Sequence, residues 1–432
     1  MSGRGYSQGL LFPAADVPPA NDQTSSTFAD NMKLPVHRWF RYSAGFSAQW
    51  VEGVIAEAKQ QGGLTVFDPF VGAGTTLLAA EKLGVASYGI DAHPFIARVA
   101  KAKLLCHSDP EAYLARAREV RRQATRLHGL GCDYPALIRK CFSPEALEGL
   151  DHLRRAWEQR KDESPASGLT WLTLVAILRL ASRAGTAPWQ YVLPRKTKKA
   201  PLEPLSAFEQ MTQTIYADMQ AVGAGTGPRA VYVEGDARTC AEVPDACADL
   251  VVTSPPYANN YDYADATRLE MCFLREINGW GDLQRSVRSR LVRSCSQHVP
   301  ERAVNMGAVL SAPELAPIRG EMTKVCRQLG KVRQEKGGKK TYHHMVACYF
   351  LDMARVWQAL RRVCKRPSRV CFVLGDSAPY GVYVPVAEWT GALAVAAGFK
   401  SFRFDKTRDR NVKWKNRKHR VPLCEGRLWV EG

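Results

Sequence analysis

The sequence predicts an α/β fold, doubly wound around a mostly parallel sheet. A short apolar strand, a glycine turn, a helix and a second strand follow one another between residues 64 and 91. This order is typical of a βαβ unit, which implies parallel strands joined by a right-handed crossover. Apolar runs at 230–236, 248–253 and 369–376 continue the sheet. A long helical stretch between the strand that ends at residue 91 and the run at 230–236 predicts an insertion.

Each predicted element near the N-terminus has a local signal. Residues 1–30 are rich in Gly, Pro, Ser and Asp, so we expect a loose arm. The amphipathic segment 48–60 predicts a helix, and a glycine pair ends it. The elements that follow are a first strand at 64–68, a helix at 76–83 with a glycine at its C-cap, and a second strand at 86–90 that ends at Asp91.

Residues 95–225 are mostly helical by their apolar periodicity, with the clearest stretches at 111–127, 144–160 and 169–182. That length exceeds an ordinary connection between strands of one sheet, so we expect a helical insertion that ends in a basic loop at 194–199. Residues 258–340 are polar, basic and poorly periodic. The C-terminal elements are predicted as a helix at 346–363, a helix at 384–397, a basic run at 406–420 and a last strand at 426–430.

Composition limits the class of protein and its partners. The 432 residues contain 60 Lys and Arg against 42 Asp and Glu, a net charge of +18, which favours a polyanionic partner and nucleic acid first. A basic protein without such a partner is the alternative. No two of the 12 cysteines form a Cys-x-x-Cys pair, so we expect no zinc ribbon and no metal. Without a secretory leader or a membrane-spanning apolar run, the chain is expected to be cytoplasmic, with reduced thiols and no membrane partner.

The turn after the first strand suits a nucleoside-bearing ligand. Gly72 and Gly74 let the backbone approach a ligand where a Cβ would clash, and the helix beyond offers free N–H groups. A dinucleotide fingerprint needs a third glycine where Leu77 stands, and a P-loop needs Gly-Lys-Ser/Thr. Asp91 can accept hydrogen bonds from both hydroxyls of a ribose, and Asp236 can accept one from an adenine amine. Taken singly, either acid is more often a solvated strand end or a helix N-cap, but acids at three strand ends favour a site.

Residues Ser254, Pro255, Pro256 and Tyr257 follow an apolar strand and suit chemistry on the exocyclic amine of a base. The lone pair of such an amine is delocalised into the ring, so acceptors for both amine hydrogens make the nitrogen more nucleophilic. The Ser254 hydroxyl and the Pro255 carbonyl are the natural acceptors, and Tyr257 can stack on an extruded base. Cytosine-C5 chemistry needs a Pro-Cys nucleophile that the chain lacks. A surface polyproline turn is the alternative, and the preceding strand disfavours it.

Three segments resemble the S-adenosylmethionine-dependent amino-methyltransferases of DNA, which methylate cytosine N4 or adenine N6. They are DPFVGAGTT at 68–76, GIDAHP at 89–94 and TSPPY at 253–257, and RYSAGFS at 41–47 is a looser match. The resemblance implies a seven-stranded Rossmann-like methyltransferase sheet, S-adenosylmethionine as cofactor and double-stranded DNA as partner. The cofactor motif precedes Ser-Pro-Pro-Tyr, the reverse of many members, so we expect a permuted variant.

The resemblance also implies the site residues and the reaction. The cofactor-binding residues would be Phe46, Ser47, Asp68, Phe70, Gly72, Gly74, Thr75, Thr76, Asp91, Ala92, Asp236 and Ala237, and the catalytic residues Ser254, Pro255, Pro256 and Tyr257. In the family, Ser at the first position goes mainly with cytosine N4, and Asp or Asn with adenine N6. The predicted function is therefore site-specific methylation of DNA at cytosine N4, by direct displacement after base flipping. Adenine-N6 methylation, RNA amino-methylation and non-catalytic nucleic-acid binding are the alternatives.

The same resemblance divides the chain. Beyond the arm, we expect 31–104 to be the cofactor part of a methyltransferase domain, 105–228 a helical insertion, 229–262 with 341–432 the catalytic part, and 263–340 a DNA target-recognition insertion. The predicted DNA contacts are Arg285, Arg288, Arg290, Arg293, Lys339, Lys340, Lys413, Trp414, Lys415 and Arg417. A solvated charged face is the alternative for each of them. A cognate restriction or phage-defence component is a candidate partner, and the expected location is the nucleoid of a prokaryotic cytoplasm.

Overall fold

The computed structural model describes residues 28–60, 62–187, 190–197, 200–338, 340–410 and 421–432. Its strands are β1 (Thr65–Asp68), β2 (Ala86–Asp91), β3 (Ala184–Thr186), β4 (Val192–Thr197), β5 (Val231–Glu234), β6 (Ala248–Thr253), β7 (Cys364–Gly375), β8 (Ser401–Arg410) and β9 (Leu423–Glu431). Its helices are α1 (Ala48–Lys59), α2 (Thr75–Lys82), α3 (Pro94–Lys103), α4 (Pro110–Ala124), α5 (Ala136–Cys141), α6 (Pro144–Glu158), α7 (Pro165–Ala181), α8 (Pro204–Val222), α9 (Arg268–Phe273), α10 (Trp280–Leu283), α11 (Met306–Ser311), α12 (Arg319–Glu335), α13 (Tyr342–Val363) and α14 (Val386–Ala396).

The central sheet has seven strands in the order β5-β2-β1-β6-β7-β9-β8. Strands β5, β2, β1, β6 and β7 run parallel, and β9 runs antiparallel to both β7 and β8. This is a mostly parallel, doubly wound sheet, so the predicted fold class is confirmed. The strand order reverses between β1 and β6, and in open α/β sheets ligands bind at the carboxyl ends of the strands at such a point.

Alternate residues of the inner strands face opposite helical layers. Val66 of β1 packs in the same cluster as Val51 of α1, whereas Phe67 belongs to the layer of α13 on the other face. In that second layer, Trp357 of α13 stacks on Phe372 of β7 with ring centroids 4.6 Å apart. Because helices cover both faces of the sheet, the edge formed by the strand ends is the part left open for a site.

Helices α4 to α8 form the helical insertion between β2 and β5. Helix α7 is apolar on nearly all sides, so most of its residues are buried among the other helices. Asp218 of α8 accepts hydrogen bonds from the Val36 amide (3.2 Å) and the Trp39 indole (2.8 Å), and pairs with Arg38. The insertion is therefore fastened to the segment that leads into α1.

Two segments differ from the sequence interpretation. The expected basic loop at 194–199 is strand as far as Thr197, because β4 pairs antiparallel with β3, and Lys198 and Lys199 lie outside the described residues. Residues 258–340 contain the 17-residue helix α12, which buries Met322, Cys326 and Leu329. These three residues have the spacing of a helix face. The sequence interpretation missed this apolar periodicity because charged residues stand between them.

The C-terminal strands are longer than the sequence predicts. The basic run at 406–420 begins inside β8, and residues 411–420 lie outside the described ranges. Strand β8 is mostly exposed and charged, so it lacks the apolar alternation that marks a strand. Of the expected arm, only residues 28–30 are described, in a 3₁₀ turn at Phe28–Lys33. Among the helices of the described ranges, none has the length and hydropathy that a membrane span requires.

Candidate active site

The turn between β1 and α2 forms one wall of a pocket at the point where the strand order reverses. Gly72 and Gly74 have φ angles of 52° and 94°, a left-handed backbone that favours glycine. A Cβ on Gly72 would lie 3.1 Å from the ring of Tyr42, so a glycine here also lets the preceding loop close against the turn. Thr76, in the first turn of α2, donates a 3.0 Å hydrogen bond to the Val252 carbonyl of β6, which ties this wall to the opposite one.

Asp91 ends β2 at the floor of the pocket. Its two carboxylate oxygens accept backbone hydrogen bonds, one from Gly72 (2.8 Å) and one from His93 (2.9 Å). Burial raises the pKa of Asp91 above its ordinary value, and these backbone hydrogen bonds offset part of that rise. A carboxylate has about four acceptor positions, so Asp91 can still accept hydrogen bonds from a ligand that carries two adjacent hydroxyls.

Asp236 follows β5 and reaches the same pocket. Its carboxylate binds the guanidinium of Arg238 through both oxygens, at 2.7–2.9 Å. Arg238 also lies 3.7 Å from Asp352 of α13, which pairs with Arg293 at 2.6 Å. This chain of alternating charges fixes the strand end, and a ligand amine would share the Asp236 carboxylate with Arg238.

Asp68 ends β1 and is fully buried behind the turn. One carboxylate oxygen accepts hydrogen bonds from the Phe70 amide (2.9 Å) and the Thr253 hydroxyl (2.5 Å), and the other oxygen has no partner among the described residues. Burial raises the pKa of Asp68 to about 6, and the two hydrogen bonds limit the rise. Asp68 therefore joins the ends of β1 and β6 and does not line the pocket.

This raised pKa predicts a pH-dependent stability. Between pH 4 and 6 the folded chain holds a proton on Asp68 that the unfolded chain has lost, so the free energy of unfolding falls as pH rises through this window. The loss should amount to about 3 kcal/mol, at about 1.4 kcal/mol per pKa unit. An Asp68→Asn variant does not titrate there, so its stability relative to wild type should rise by that amount between pH 4 and 7. Urea unfolding at four pH values measures this, and a difference that stays level across them contradicts it.

Residues 254–257 follow the end of β6, and Ser254 and Pro256 of this segment line the opposite wall. The Ser254 hydroxyl donates to the Val373 carbonyl of β7 (3.3 Å), and the Tyr257 amide donates to the Tyr263 hydroxyl (3.2 Å). The guanidinium carbon of Arg410 lies 5.2 Å from the centroid of the Tyr257 ring, so a cation covers part of that ring. Burial raises the pKa of Tyr257, and the side chain stays a neutral phenol that can stack on a flat ligand.

The two walls enclose an open pocket of about 750 Å³, the solvent at its mouth included. The predicted site residues that line it are Phe46, Phe70, Gly72, Thr75, Asp91, Ala92, Asp236, Ala237, Ser254 and Pro256. The predicted site residues behind the lining are Ser47, Asp68, Gly74, Thr76, Pro255 and Tyr257. The fold thus brings both predicted halves of the site to one cavity, although the segments are far apart in sequence.

Other lining residues were not predicted, among them Tyr42, Tyr263, Leu291 and Val292. Tyr42 lies in the RYSAGFS segment and Tyr263 lies shortly after Tyr257, so both were next to segments that the sequence had singled out. Leu291 and Val292 come from a stretch without apolar periodicity. Nothing local marks these two residues, because only the tertiary fold brings them into the same pocket lining as Asp236 and Ala237.

The arginines predicted to contact DNA have different surroundings. Arg288 is buried and pairs with Asp262, and Arg293 pairs with Asp352. Both arginines are engaged in ion pairs within the protein, and their role as DNA contacts stays a prediction.

The remaining predicted contacts are more exposed or lie outside the structure. Arg285 is exposed and sits 2.5 Å from Asp282. Arg290 lines the pocket and pairs with Glu234, so it borders the candidate cofactor site. Lys340 is half-buried. Lys339, Lys413, Trp414, Lys415 and Arg417 lie outside the described residues.

Comparison with known proteins gives four findings. A family model described as DNA methylase matches residues 14–102. The Type II methyltransferase M.BsoBI of Geobacillus stearothermophilus is 25% identical over 430 residues, covering 87% of this chain and 81% of the relative. The Type II methyltransferase M.AvaI of Nostoc sp. is 22% identical over 406 residues, covering 86% and 81%. The rRNA methyltransferase aviRa from Streptomyces viridochromogenes covers 90% of this chain and 85% of its own at 11% identity, but its TM-score of 0.28 supports no argument.

Proposed function

We propose that this chain methylates the exocyclic N4 of cytosine in double-stranded DNA. The premise is that the chain is a DNA methylase of the N6/N4 amino-methyltransferase family, which uses S-adenosylmethionine. One observation supports this reaction above the others. Ser254 and Pro256 line the same cavity as the Gly72 turn and Asp91, so a base amine and a methyl donor can be held within reach of each other. Direct displacement depends on such positioning more than on any reactive side chain.

The residues on the donor side fit the cofactor. Gly72 lines the pocket, so its backbone can face a ligand, Asp91 keeps free acceptor positions for ribose hydroxyls, and Asp236 offers an acceptor for an adenine amine. When bound, S-adenosylmethionine supplies an electrophilic methyl group on a positively charged sulfur. The side chains of the chain itself then have to orient the two reactants and keep water out.

The residues on the base side are suited to activate an amine. Because the Ser254 hydrogen is engaged by the Val373 carbonyl, the lone pairs of its oxygen are available to accept one hydrogen of the amine. The Pro255 carbonyl is the natural acceptor for the other hydrogen. Tyr257, with its amide held by Tyr263 and its ring beside Arg410, offers a fixed neutral surface for the extruded base. In the displacement, the bond from the amine nitrogen to the methyl carbon would form as the sulfur–methyl bond breaks with its electron pair left on sulfur. The proton that the amine loses would pass to solvent at the open mouth of the pocket.

The choice of cytosine N4 over adenine N6 is supported by the residue at position 254. In the family that the chain resembles, serine at this position goes mainly with cytosine N4. The choice of DNA over RNA is supported by the family description. The net charge of +18 favours a nucleic acid of either kind.

Identification of the methylated nucleoside tests this proposal. We expect that the chain, incubated with methyl-labelled S-adenosylmethionine and unmethylated genomic DNA, will give labelled N4-methylcytosine after digestion and mass spectrometry. Labelled N6-methyladenine would keep the mechanism and overturn the base assignment. Label in RNA, in a parallel incubation, with none in DNA would overturn the substrate assignment.

The proposal extends to a partner and a location. The relatives are named Type II methyltransferases, which supports a cognate restriction component, and a phage-defence component is the related possibility. Methylation of chromosomal DNA would take place at the nucleoid in the cytoplasm of a prokaryote.

A further inference from the structure

The helical insertion contains a β-hairpin that lies beside the pocket. Strands β3 and β4 pair antiparallel directly after α7. Their connection is closed at its base by backbone hydrogen bonds from Ala187 to the Tyr191 carbonyl (2.8 Å) and from Gln190 to the Ala187 carbonyl (2.9 Å). Gln190 and Tyr191 are adjacent in this connection, and each contacts a segment that borders a different wall of the candidate active site.

Gln190 binds the loop on the cofactor side. It is buried, and its φ of 63° is left-handed, which is uncommon for a residue with a side chain. Its side-chain oxygen accepts hydrogen bonds from both the amide and the hydroxyl of Ser43 (2.5 Å each), and its nitrogen donates to the Arg41 carbonyl (2.7 Å). The residue between these two contacts is Tyr42, which lines the pocket against the Gly72 turn.

Tyr191 binds the loop on the catalytic side. Its hydroxyl accepts a hydrogen bond from the Asp262 amide (2.7 Å), and its ring stacks on Tyr261 with centroids 5.5 Å apart. The rings of Tyr261 and Tyr263 are nearly perpendicular, with centroids 4.5 Å apart. The Tyr263 hydroxyl in turn accepts a hydrogen bond from the Tyr257 amide. Three contacts therefore connect the hairpin to the residue expected to stack on the base.

Arg179 of α7 fixes the hairpin to the rest of the insertion. Its guanidinium donates to the Gln190 carbonyl (2.7 Å) and the Ala266 carbonyl (2.6 Å), and it pairs with Glu270 of α9, which is fully buried. Arg179 thus connects the hairpin to α7 and also to residues 266–270, which follow the segment that contains Tyr257 and Tyr263.

We propose that Gln190 and Tyr191 are positioning residues, through which the helical insertion sets the cofactor wall and the catalytic wall at their working separation. This inference rests on the proposed function. In-line transfer requires reacting atoms about 3–3.5 Å apart. Besides the sheet and the hydrogen bonds of Thr76 to Val252 and of Thr267 to His93, the hairpin is a further connection between the segments that carry the two walls. The two residues have separable effects, because Gln190 acts on the cofactor wall and Tyr191 on the catalytic wall.

The test is a pair of variants of the full chain with two separate readouts. Gln190→Ala should raise the Kd for S-adenosylmethionine about 10-fold, the effect of losing one to two buried hydrogen bonds, and leave the single-turnover rate at saturating cofactor within about threefold. Tyr191→Phe leaves the Asp262 amide without its acceptor, and should lower that rate about 10-fold while the Kd stays within about twofold. Equilibrium dialysis without DNA gives the Kd.

Matched controls lie on α8 of the same insertion. Gln213→Ala is an exposed change of the same kind, and Tyr216→Phe removes a hydroxyl that donates to Glu111. Both controls should leave the Kd and the rate at wild-type values. If Gln190→Ala fails to fold, Ser43→Ala removes one of the same hydrogen bonds and should raise the Kd in the same direction with a smaller shift.

The outcomes separate this inference from the proposed function. If each variant both raises the Kd and lowers the rate, or changes neither quantity, the positioning roles are overturned while wild type still methylates DNA. A wild-type chain that binds the cofactor but methylates no base overturns the proposed function itself. A destabilisation without the split between Kd and rate indicates a merely structural role and also overturns the inference.

Discussion

A Ser254→Ala variant is expected to methylate DNA about 100-fold more slowly than wild type, the size of effect that follows from the loss of one hydrogen bond specific to a transition state. The hydroxyl lines the pocket and its hydrogen is directed to the Val373 carbonyl, so alanine removes an acceptor for the base amine. The Kd for S-adenosylmethionine should change by less than about threefold, because this hydroxyl lies on the base side of the pocket. Single-turnover kinetics with saturating cofactor measure the first quantity and equilibrium dialysis the second.

A matched control for this variant is Ser311→Ala, which removes an exposed hydroxyl bonded within α11. The control should keep the wild-type rate. A Ser254→Ala chain that binds cofactor and transfers methyl groups at the wild-type rate would remove Ser254 from the mechanism and leave the base amine to be activated by other groups.

The second large effect is expected for Asp91→Asn, which should weaken binding of S-adenosylmethionine by about 10- to 100-fold, the range for a hydrogen bond to a charged group. The Asp91 carboxylate accepts from the amides of Gly72 and His93 at once. An asparagine offers one oxygen, so one of these buried amides would face the NH₂ group and the turn would shift. Equilibrium dialysis measures the Kd, and thermal unfolding reports whether the fold persists.

Asp245→Asn is a suitable control, since Asp245 is an exposed carboxylate paired with Arg362 on the surface. It should leave the Kd unchanged. Cofactor binding of wild-type strength in a folded Asp91→Asn chain would show that the end of β2 does not hold the ribose.

The sequence alone was sufficient to predict the site residues whose function depends on their neighbours along the chain. The glycine turn, Asp91 and the segment 254–257 carry their chemistry within a few positions of a strand end, and parallel topology brings those ends to one edge. The structure places members of all three in one pocket. Local pattern therefore predicted both the sheet and the cavity.

The sequence alone was insufficient to predict the surroundings of residues that pair with partners far away along the chain. Arg288 and Arg293 were predicted to contact DNA, but they pair with Asp262 and Asp352 of the same chain. The partner carboxylates lie 26 and 59 positions away along the chain, so no local signal distinguishes these arginines from exposed ones. Gln190 shows the same limit, because its three contacts all lie about 150 positions earlier.

The sheet topology has a consequence for how the chain folds. Strand β1 can pair with β2 as soon as about twenty residues beyond it are made, but its other neighbour is β6, some 180 residues later. During synthesis the whole helical insertion emerges and can fold before that second pairing forms, and contacts of such long range form slowly. The β1 edge then stays uncovered in the nascent chain, and an uncovered apolar strand edge is prone to aggregation. We therefore expect chaperone dependence to concentrate in the interval before β6 is made.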